Sequence, residues 1–475
     1  MLTLILSKQV VMSDFFKWLS SNQAATNIAL LAFSVIVISM TLMYLVAFSQ
    51  GRQVSFWPLQ IGEHIKVSEK QRTEPEQGAN LGSADNPASP VKNWISRRVF
   101  IPTSIGTLVG LTLGWLIGQQ QASGEQRADV IWKMDTFLSA SAKGTILYEA
   151  PKMVCDRVKE ISGGRFIIEL VRSGRTEEIL NDVGNNNNEI DCGYNGIYYS
   201  TKKLKVLYFG CAIPFGLTPQ EQNAWLYYKK DLDPTTLDPD TPTFMQSIYS
   251  RLGLNVITFP AGATGGQAGG WFRERVNSIT DLNGKTMRIP GFGAEVLQKY
   301  GVTTHEQLTE DISVQEAVKR LADGRFGAVE WTGPYDDLLL GLDKAAKFYY
   351  FPGWWEPSTT FEVQVNLSKW NDLSPEFREV FKAACSEIHT SILTLYTQMN
   401  SKVLKEEIPQ KGIELVRFSD EILQTAKDAT KNLLDDYAEQ DEDFKYVYDE
   451  WKSFIKVTRS WSKQNEMPSE FFLDF

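Results

Sequence analysis

The run GGQAGGWFRERVNSITDLNGKTMRIPGFG, Gly265 to Gly293, decides how the rest of the chain is read. Within it Thr286, Met287 and Ile289 surround one arginine, Arg288, in an otherwise uncharged short strand, with a loop at Asp281 to Gly284 before it and a turn at Pro290-Gly291 after it. The next periodic segment starts near Ala294. A guanidinium fork at a strand end, beside a glycine-rich turn where backbone can approach a ligand, can take a carboxylate through two parallel hydrogen bonds. The same arginine can be half of an ordinary ion pair with a local Asp or Glu, which is the commoner role for a lone strand-end arginine, and these residues alone leave both roles open.

Upstream, Asn255 to Phe259 is the strand that feeds this run, after helices at Gln220 to Lys230 and Phe244 to Gly253. Strand and helix begin to alternate near Ala128. Val130 to Met134 reads as a strand, Leu147 to Ser162 as a helix with Val154, Val158 and Ile161 on one face, Gly163-Gly164 as its stop, and Phe166 to Val171 as the next strand. Glu177 to Glu189 contains the asparagines Asn185 to Asn188, which lower helix propensity, so a shortened helix or a loop is expected there. Cys192 to Tyr199 and Val206 to Ile213 are further strand-like runs. Downstream come a helix at Val314 to Asp323 and a strand at Gly327 to Trp331 carrying Glu330 at its end; a buried strand-end carboxylate needs a partner. The chain returns through Phe361 to Asn366 and then becomes helical at Pro375 to Glu406, Ser419 to Glu439 and Asp441 to Ser462. The alternation predicts an α/β fold with parallel or mixed sheets and helices on their faces.

With 475 residues, 43% of them hydrophobic, the chain exceeds one typical domain and can build a substantial core. The net charge of -10 is uneven: residues after Gly124 hold 39 Lys/Arg against 52 Asp/Glu, which argues against nucleic acid as a partner. Cys155, Cys192, Cys211 and Cys385 are far apart and form no CxxC pair, so buried free thiols are expected rather than a zinc ribbon or a dense disulfide scaffold. His64, His305 and His389 are too few for a His-rich metal site or a histidine-based triad.

The first 124 residues have another character. Ile28 to Phe48 is 21 residues without a charge, long enough to cross about 30 Å of hydrocarbon as a helix. Gly51 to Trp94 has linker composition. Ser96-Arg97-Arg98-Val99-Phe100-Ile101 then opens an uncharged run to Gly118, similar to a twin-arginine export signal and equally readable as a second span with basic flanks. Seven Lys/Arg between Arg52 and Arg98, against only Lys8 and Lys17 before Asn27, put the linker on the cytoplasmic side and everything after Gln121 outside. Ala122-Ser123 is a weak cleavage site, so a retained anchor is expected.

The phrases ISGGRF (161–166), AIPFGLTPQEQNAWLYY (212–228), ATGGQAGGWFRERVNSITDLNGKTMRIPG (263–291), AVEWTGPYDDLLLGL (328–342) and FYYFPGWWEP (348–357) stand in this order. Through them the chain, from about Trp132 to Trp461, resembles the extracytoplasmic solute-binding subunits of TRAP (tripartite ATP-independent periplasmic) transporters, in the branch for 2-oxo acids, lactate and related carboxylates. The resemblance implies a two-lobed periplasmic-binding-protein clamshell with mixed sheets and long C-terminal helices, closing over a small organic acid without chemistry and delivering it to TRAP permease membrane subunits. The expected division is 1–50 membrane span, 51–95 linker, 96–124 signal-like segment or second span, 128–258 with 350–390 as one lobe, 259–349 with 391–425 as the other, and 426–475 as a helical C-terminus.

By the same resemblance Arg288 falls on the arginine that binds the substrate carboxylate. Gln267, Glu330, the backbone carbonyl of Trp331, and Glu356 fall on positions that hold a cation, for which oxygen ligands suit Na⁺ or Ca²⁺ rather than zinc. Loops and strand ends are the usual place for ligands in α/β sheets, and two acids make a divalent ion plausible. Trp225, Trp331, Trp354 and Tyr199 are candidate pocket walls. Three departures leave the ligand open: the Asn185 to Asn188 run where relatives have an alanine-rich helix, a long Thr303 to Asp311 segment, and Thr136-Phe137-Leu138 in place of a Ser-Phe-Pro motif. The double span-like N-terminus implies a receptor tethered to the membrane, and a homodimer with swapped C-terminal helices is known in the family. A membrane-anchored carboxylate sensor on the same clamshell is the alternative. A metal-dependent hydrolase using Glu330 as base has neither a nucleophile elbow nor a His ligand set to support it.

Overall fold

Two mixed β-sheets carry the architecture of the computed structural model, which describes residues 128–466 apart from 187–188, 201–203, 231–240 and 309–311. The membrane-span, linker and signal-like segments expected before Gly124, and Asn187 and Asn188, lie outside the described residues. Among the described residues no helix is long and apolar enough to cross a membrane.

The strands are β1 (Val130–Thr136), β2 (Phe166–Leu170), β3 (Cys192–Asn195), β4 (Val256–Gly265), β5 (Trp271–Phe272), β6 (Thr286–Arg288), β7 (Thr303–Thr304), β8 (Ala328–Val329), β9 (Phe348–Phe351), β10 (Thr359–Asn366) and β11 (Glu414–Arg417). The first sheet runs β2-β1-β3-β10-β4 and the second β11-β9-β5-β8-β6-β7. β1 pairs in parallel with both β2 and β3. A parallel pair needs a crossover, and the helix Ile146–Ile161 supplies it between β1 and β2. Thr145 caps that helix by accepting from Tyr148 N–H, and Val154 and Val158 are buried beneath it. Ile161, expected on the same face, is 38% exposed, because it is the last helical residue before the chain turns through the positive-φ pair Gly163 and Gly164.

The two lobes are joined by strands that leave one sheet and enter the other. β4 ends at Gly265 and β5 opens at Trp271, while β9 ends at Phe351 and β10 opens at Thr359. β4 runs well past Phe259, where its sequence signal fades into Pro260 and glycines. Pro260 faces Glu362 at an irregularity of the β4–β10 ladder, a place where a missing N–H is tolerated. The helix Pro375–Glu406 has the ends expected of it, is capped by Ser374, and packs along β4. The helices Asp420–Gln440 and Glu442–Asn465 are the last described elements, and Val314–Asp323 also lies where its periodicity puts it.

Four local readings are corrected. Lys205–Gly210 is a 3₁₀ helix rather than a strand; Val206 to Gly210 are all buried, so no alternation marked its period. β3 stops at Asn195 and Ile197–Ser200 turns as 3₁₀. The strand before Trp331 shrinks to Ala328–Val329, so Glu330 and Trp331 leave the sheet. The helix after Arg288 starts at Gly291 rather than near Ala294, with Gly291 at φ 75°, a conformation glycine adopts freely. The four cysteines are free and buried.

Candidate functional site

Sheet register creates the centre of the site. β6 and β8 pair in parallel with Arg288 opposite Val329, so Glu330, one residue on, donates its N–H to the Arg288 carbonyl at 2.9 Å. The Arg288 side chain then folds over it: Nη1 donates to the Glu330 carbonyl at 2.8 Å and to Glu330 Oε2 at 2.9 Å, and Nη2 donates to the Tyr199 hydroxyl at 3.3 Å. The guanidinium carbon sits 5.0 Å from the Trp331 ring centroid, a cation–π distance.

The crossing segments bring in the remaining residues. Gln267 N–H donates to the Glu356 carbonyl at 3.2 Å, Gly353 N–H donates to the Gln267 carbonyl at 3.0 Å, and Ala268 N–H donates to the Thr332 carbonyl at 3.0 Å. A Cβ on Gly353 would lie 2.6 Å from the Gln267 and Ala268 carbonyl oxygens, and one on Gly270, at φ 81°, would lie 2.9 Å from the Val329 carbonyl oxygen, so both positions need glycine. Gln267 Nε2 donates to Thr264 Oγ1 at 3.3 Å, and Thr359 Oγ1 donates to Glu356 Oε2 at 2.6 Å.

After these bonds are made, three oxygens remain buried without a partner: Gln267 Oε1, Glu330 Oε1 and Glu356 Oε1. Buried polar atoms are almost always satisfied, so three acceptors left bare in one place are a site waiting for positive charge or donors. The electrostatics agree. Burial pushes the Glu356 carboxyl up to about 7 although Thr359, Arg288 and Gln267 pull it down. Burial, then the charge of Glu356, raises Glu330 well above the carboxylate range, with Arg288 opposing. Burial works against the Arg288 charge, and Tyr199 and Glu330 outweigh it, raising its pKa. Two carboxylates facing one guanidinium leave the centre short of a positive charge. Amide and carboxylate oxygens suit a hard cation, so the residues fit Na⁺ or Ca²⁺. Among the described residues no three His, Cys, Asp or Glu side chains are grouped so as to hold a metal ion, so an ion here depends on the Gln267 amide and on backbone oxygen as well as the two acids.

Arg288 and Trp331 face a cleft of about 550 Å³ that is also lined by Phe137, Tyr198, Tyr199 and His305. Gln267, Glu330 and Glu356, only 6%, 1% and 4% exposed, do not line it. The structure thus gathers six of the eight residues singled out in the sequence: Arg288, Tyr199, Trp331, Gln267, Glu330 and Glu356. Of the candidate walls, Tyr199 and Trp331 reach the cleft. Trp225 does not: it is wholly buried, donates Nε1–H to the Phe209 carbonyl and packs on Phe244 and Phe454. Trp354 stacks at 5.2 Å on Phe215 in the core. His389 is also remote, with Nε2 beside Asn223 Oδ1 at 2.7 Å, and burial lowers its pKa to about 4.

Sequence reasoning missed the braces of the arginine strand. Ile289 N–H donates to His305 Nδ1 and Gly291 N–H to Glu306 Oε1, each at 3.3 Å. Their signal in the sequence is the long segment after Thr303.

The model of the bacterial extracellular solute-binding proteins, family 7, matches residues 137–441. A monocarboxylate 2-oxoacid-binding periplasmic protein of Nostoc sp. is 39% identical over 347 residues, covering 72% of this chain and 89% of that protein. Among solved structures, a TRAP transporter solute-binding protein of Bordetella bronchiseptica, a mixed-occupancy dimer with copurified calcium and picolinate, shares 29% identity at a TM-score of 0.63 over 72% of this chain and 96% of its own. A TRAP periplasmic solute-binding protein of Pseudoalteromonas atlantica with bound sodium and pyruvate shares 28% identity at a TM-score of 0.63 over 72% of this chain and 99% of its own. A fold, a gathered set of residues and a sequence match that agree along most of the described chain lead to one conclusion: the chain belongs to the bacterial extracellular solute-binding proteins of family 7.

Proposed function

We propose that this protein is the extracytoplasmic solute receptor of a TRAP transporter, binding a small 2-oxo or 2-hydroxy carboxylate together with Ca²⁺ or Na⁺ and handing it to the membrane permease subunits. The observation that carries the reading is the trio of bare buried oxygens on Gln267, Glu330 and Glu356 behind the cleft-facing Arg288. Arg288 and the Tyr199 hydroxyl take the ligand carboxylate, Trp331 covers it, and Gln267, Glu330, Glu356 and the Trp331 carbonyl hold the ion. The ion supplies the positive charge the two acids lack and a coordination position for a ligand oxygen. The ligands of the Nostoc, Bordetella and Pseudoalteromonas relatives support this class. The lobes divide at the strand crossings after Gly265 and after Phe351.

The protein stripped with a chelator, moved into sodium-free buffer and titrated with pyruvate, with and without added calcium or sodium, tests the reading. Binding heat that appears only with an added ion is expected; equal heat in sodium-free buffer with chelator contradicts the ion's role. Tethering through the N-terminal segments is part of the proposal and rests on the sequence alone. Release of the protein from membranes by alkali and high salt would count against it. Val457 and Trp461, 67% and 66% exposed on the last helix, support pairing between two copies. A monomeric mass in light scattering contradicts that pairing.

A further inference from the structure

The loop that follows Glu330 is held by two consecutive aspartates at the start of the helix Pro334–Leu340, and their side chains reach in different directions. Asp337 Oδ1 accepts from Thr332 N–H at 3.3 Å and Gly333 N–H at 3.1 Å. Its Oδ2 accepts from Trp271 Nε1–H at 2.8 Å and the Tyr349 hydroxyl at 2.7 Å, from two rings stacked 4.0 Å apart. Four donors leave this carboxylate no freedom. A trans peptide carries its C=O and N–H on opposite sides, so fixing Thr332 N–H toward Asp337 turns the Trp331 carbonyl the other way. The next peptide obeys the same rule: Gly333 N–H points at Asp337 while the Thr332 carbonyl accepts from Ala268 N–H at 3.0 Å.

Asp336 reaches out of its own lobe. Its Oδ1 accepts from Ile146 N–H at 2.9 Å, in the first turn of the crossover helix packed on the first sheet, and its Oδ2 accepts from the Tyr396 hydroxyl of the long helix at 2.7 Å. Both aspartates are fully buried. The loop that carries the candidate ion ligands is therefore joined, through two adjacent residues, to the crossover helix packed on the first sheet and to the long helix.

We propose that Asp336-Asp337 is a relay between ligand site and closure: Asp337 is a positioning residue that aims the Trp331 carbonyl, and Asp336 is the closing contact that receives the Ile146 helix. The proposal rests on the receptor reading above and adds the residues that couple the site to the motion. Both ends are needed. A loop set correctly but not joined to the other lobe would bind the ion and stay open; a joined loop with a free peptide would close over a poor ion site.

The test uses the full-length protein with a donor and acceptor dye on Lys152→Cys and Lys319→Cys, exposed positions in the two lobes, and calcium and pyruvate affinities measured separately. Asp336→Ala is expected to lengthen the inter-lobe distance, weaken pyruvate at least tenfold and leave calcium alone unchanged, with Asp336→Asn, which still accepts from Ile146, restoring most of the loss. Tyr349→Phe, which takes one donor from Asp337 without opening a large cavity, is expected to weaken calcium several-fold in a protein that still folds, and Asp337→Ala to weaken it further. An unchanged distance in Asp336→Ala, or wild-type calcium affinity in both Asp337→Ala and Tyr349→Phe, overturns the relay. The inter-lobe distance without ligand keeps the two ideas apart: a wild-type protein that takes neither calcium nor any 2-oxo acid refutes the receptor reading, whereas the Asp336→Ala distance judges the relay on its own.

Discussion

Asp337 and Glu330 are close in sequence, both are buried, and their surroundings treat them oppositely. Asp337 receives four hydrogen bonds. Asp336 accepts from Ile146 and Tyr396, and Glu362 Oε1 accepts from the Tyr249 hydroxyl and Gln364 Nε2. Glu330 and Glu356 each keep one oxygen bare. A fold surrounds the carboxylates it uses as struts with donors, because a buried charge without partners is costly. Carboxylates left half satisfied make sense when the missing partner arrives from outside. That contrast, and not burial or charge alone, separates Asp336, Asp337 and Glu362 from the two acids we assign to the ion.

Arg288→Ala strains the contrast hardest. It removes the guanidinium that pairs with Glu330 and faces the cleft, and should cost roughly 2–5 kcal/mol of carboxylate affinity, the range for truncating one partner of a buried charge pair. Calorimetric affinity within about twofold of wild type would place Arg288 among the struts instead.

The struts can also be followed through pH. Burial pushes the carboxyls of Glu362 and Asp337 up to about 7 and that of Asp336 up to about 6. An acid whose folded-state pKa exceeds its unfolded one holds its proton more tightly when folded, so its stabilisation is complete below the unfolded value and is lost as pH rises through the folded one. For Glu362 that window runs from 4.5 to about 7 and corresponds to roughly 3 kcal/mol. The protein should unfold more easily at about pH 8 than at about pH 5, and Glu362→Gln should flatten the profile. An unchanged slope in the variant would show that Glu362 does not titrate in this window.

A direct exchange sharpens the comparison. Asp337→Asn presents an amide where donors converge and should lower stability in denaturant titrations by roughly 1–3 kcal/mol. Glu356→Gln removes a half-satisfied buried charge and should leave the ion-free stability equal or higher while weakening calcium. Equal losses from the two would erase the distinction. At the small end, Lys152→Ala breaks a solvent-exposed pair with Asp156 and should move neither affinity nor melting temperature measurably.

Much of this was legible in the sequence. The helices Val314–Asp323 and Pro375–Glu406 have the ends their periodicity foretold, and the ligand candidates stood in loops or at strand ends. What escaped had physical causes. The all-buried Lys205–Gly210 run has no period, so a 3₁₀ helix resembled a strand. β4 continues through Pro260 because an irregular ladder excuses the missing donor, a circumstance set by β10 far along the chain. Asp337 lay in plain view within GPYDD, yet its partners Trp271 and Tyr349 come from other strands, and no local spacing announces four donors assembled by tertiary structure.

A crystal grown with calcium and pyruvate, with diffraction collected to reveal the calcium's anomalous signal, tests the central claim most directly. The account predicts one peak at about 2.3–2.6 Å from Gln267 Oε1, Glu330 Oε1 and Glu356 Oε1, with the pyruvate carboxylate on Arg288. Pyruvate seated on Arg288 with no peak among those oxygens, or an ion held by other residues, would contradict it.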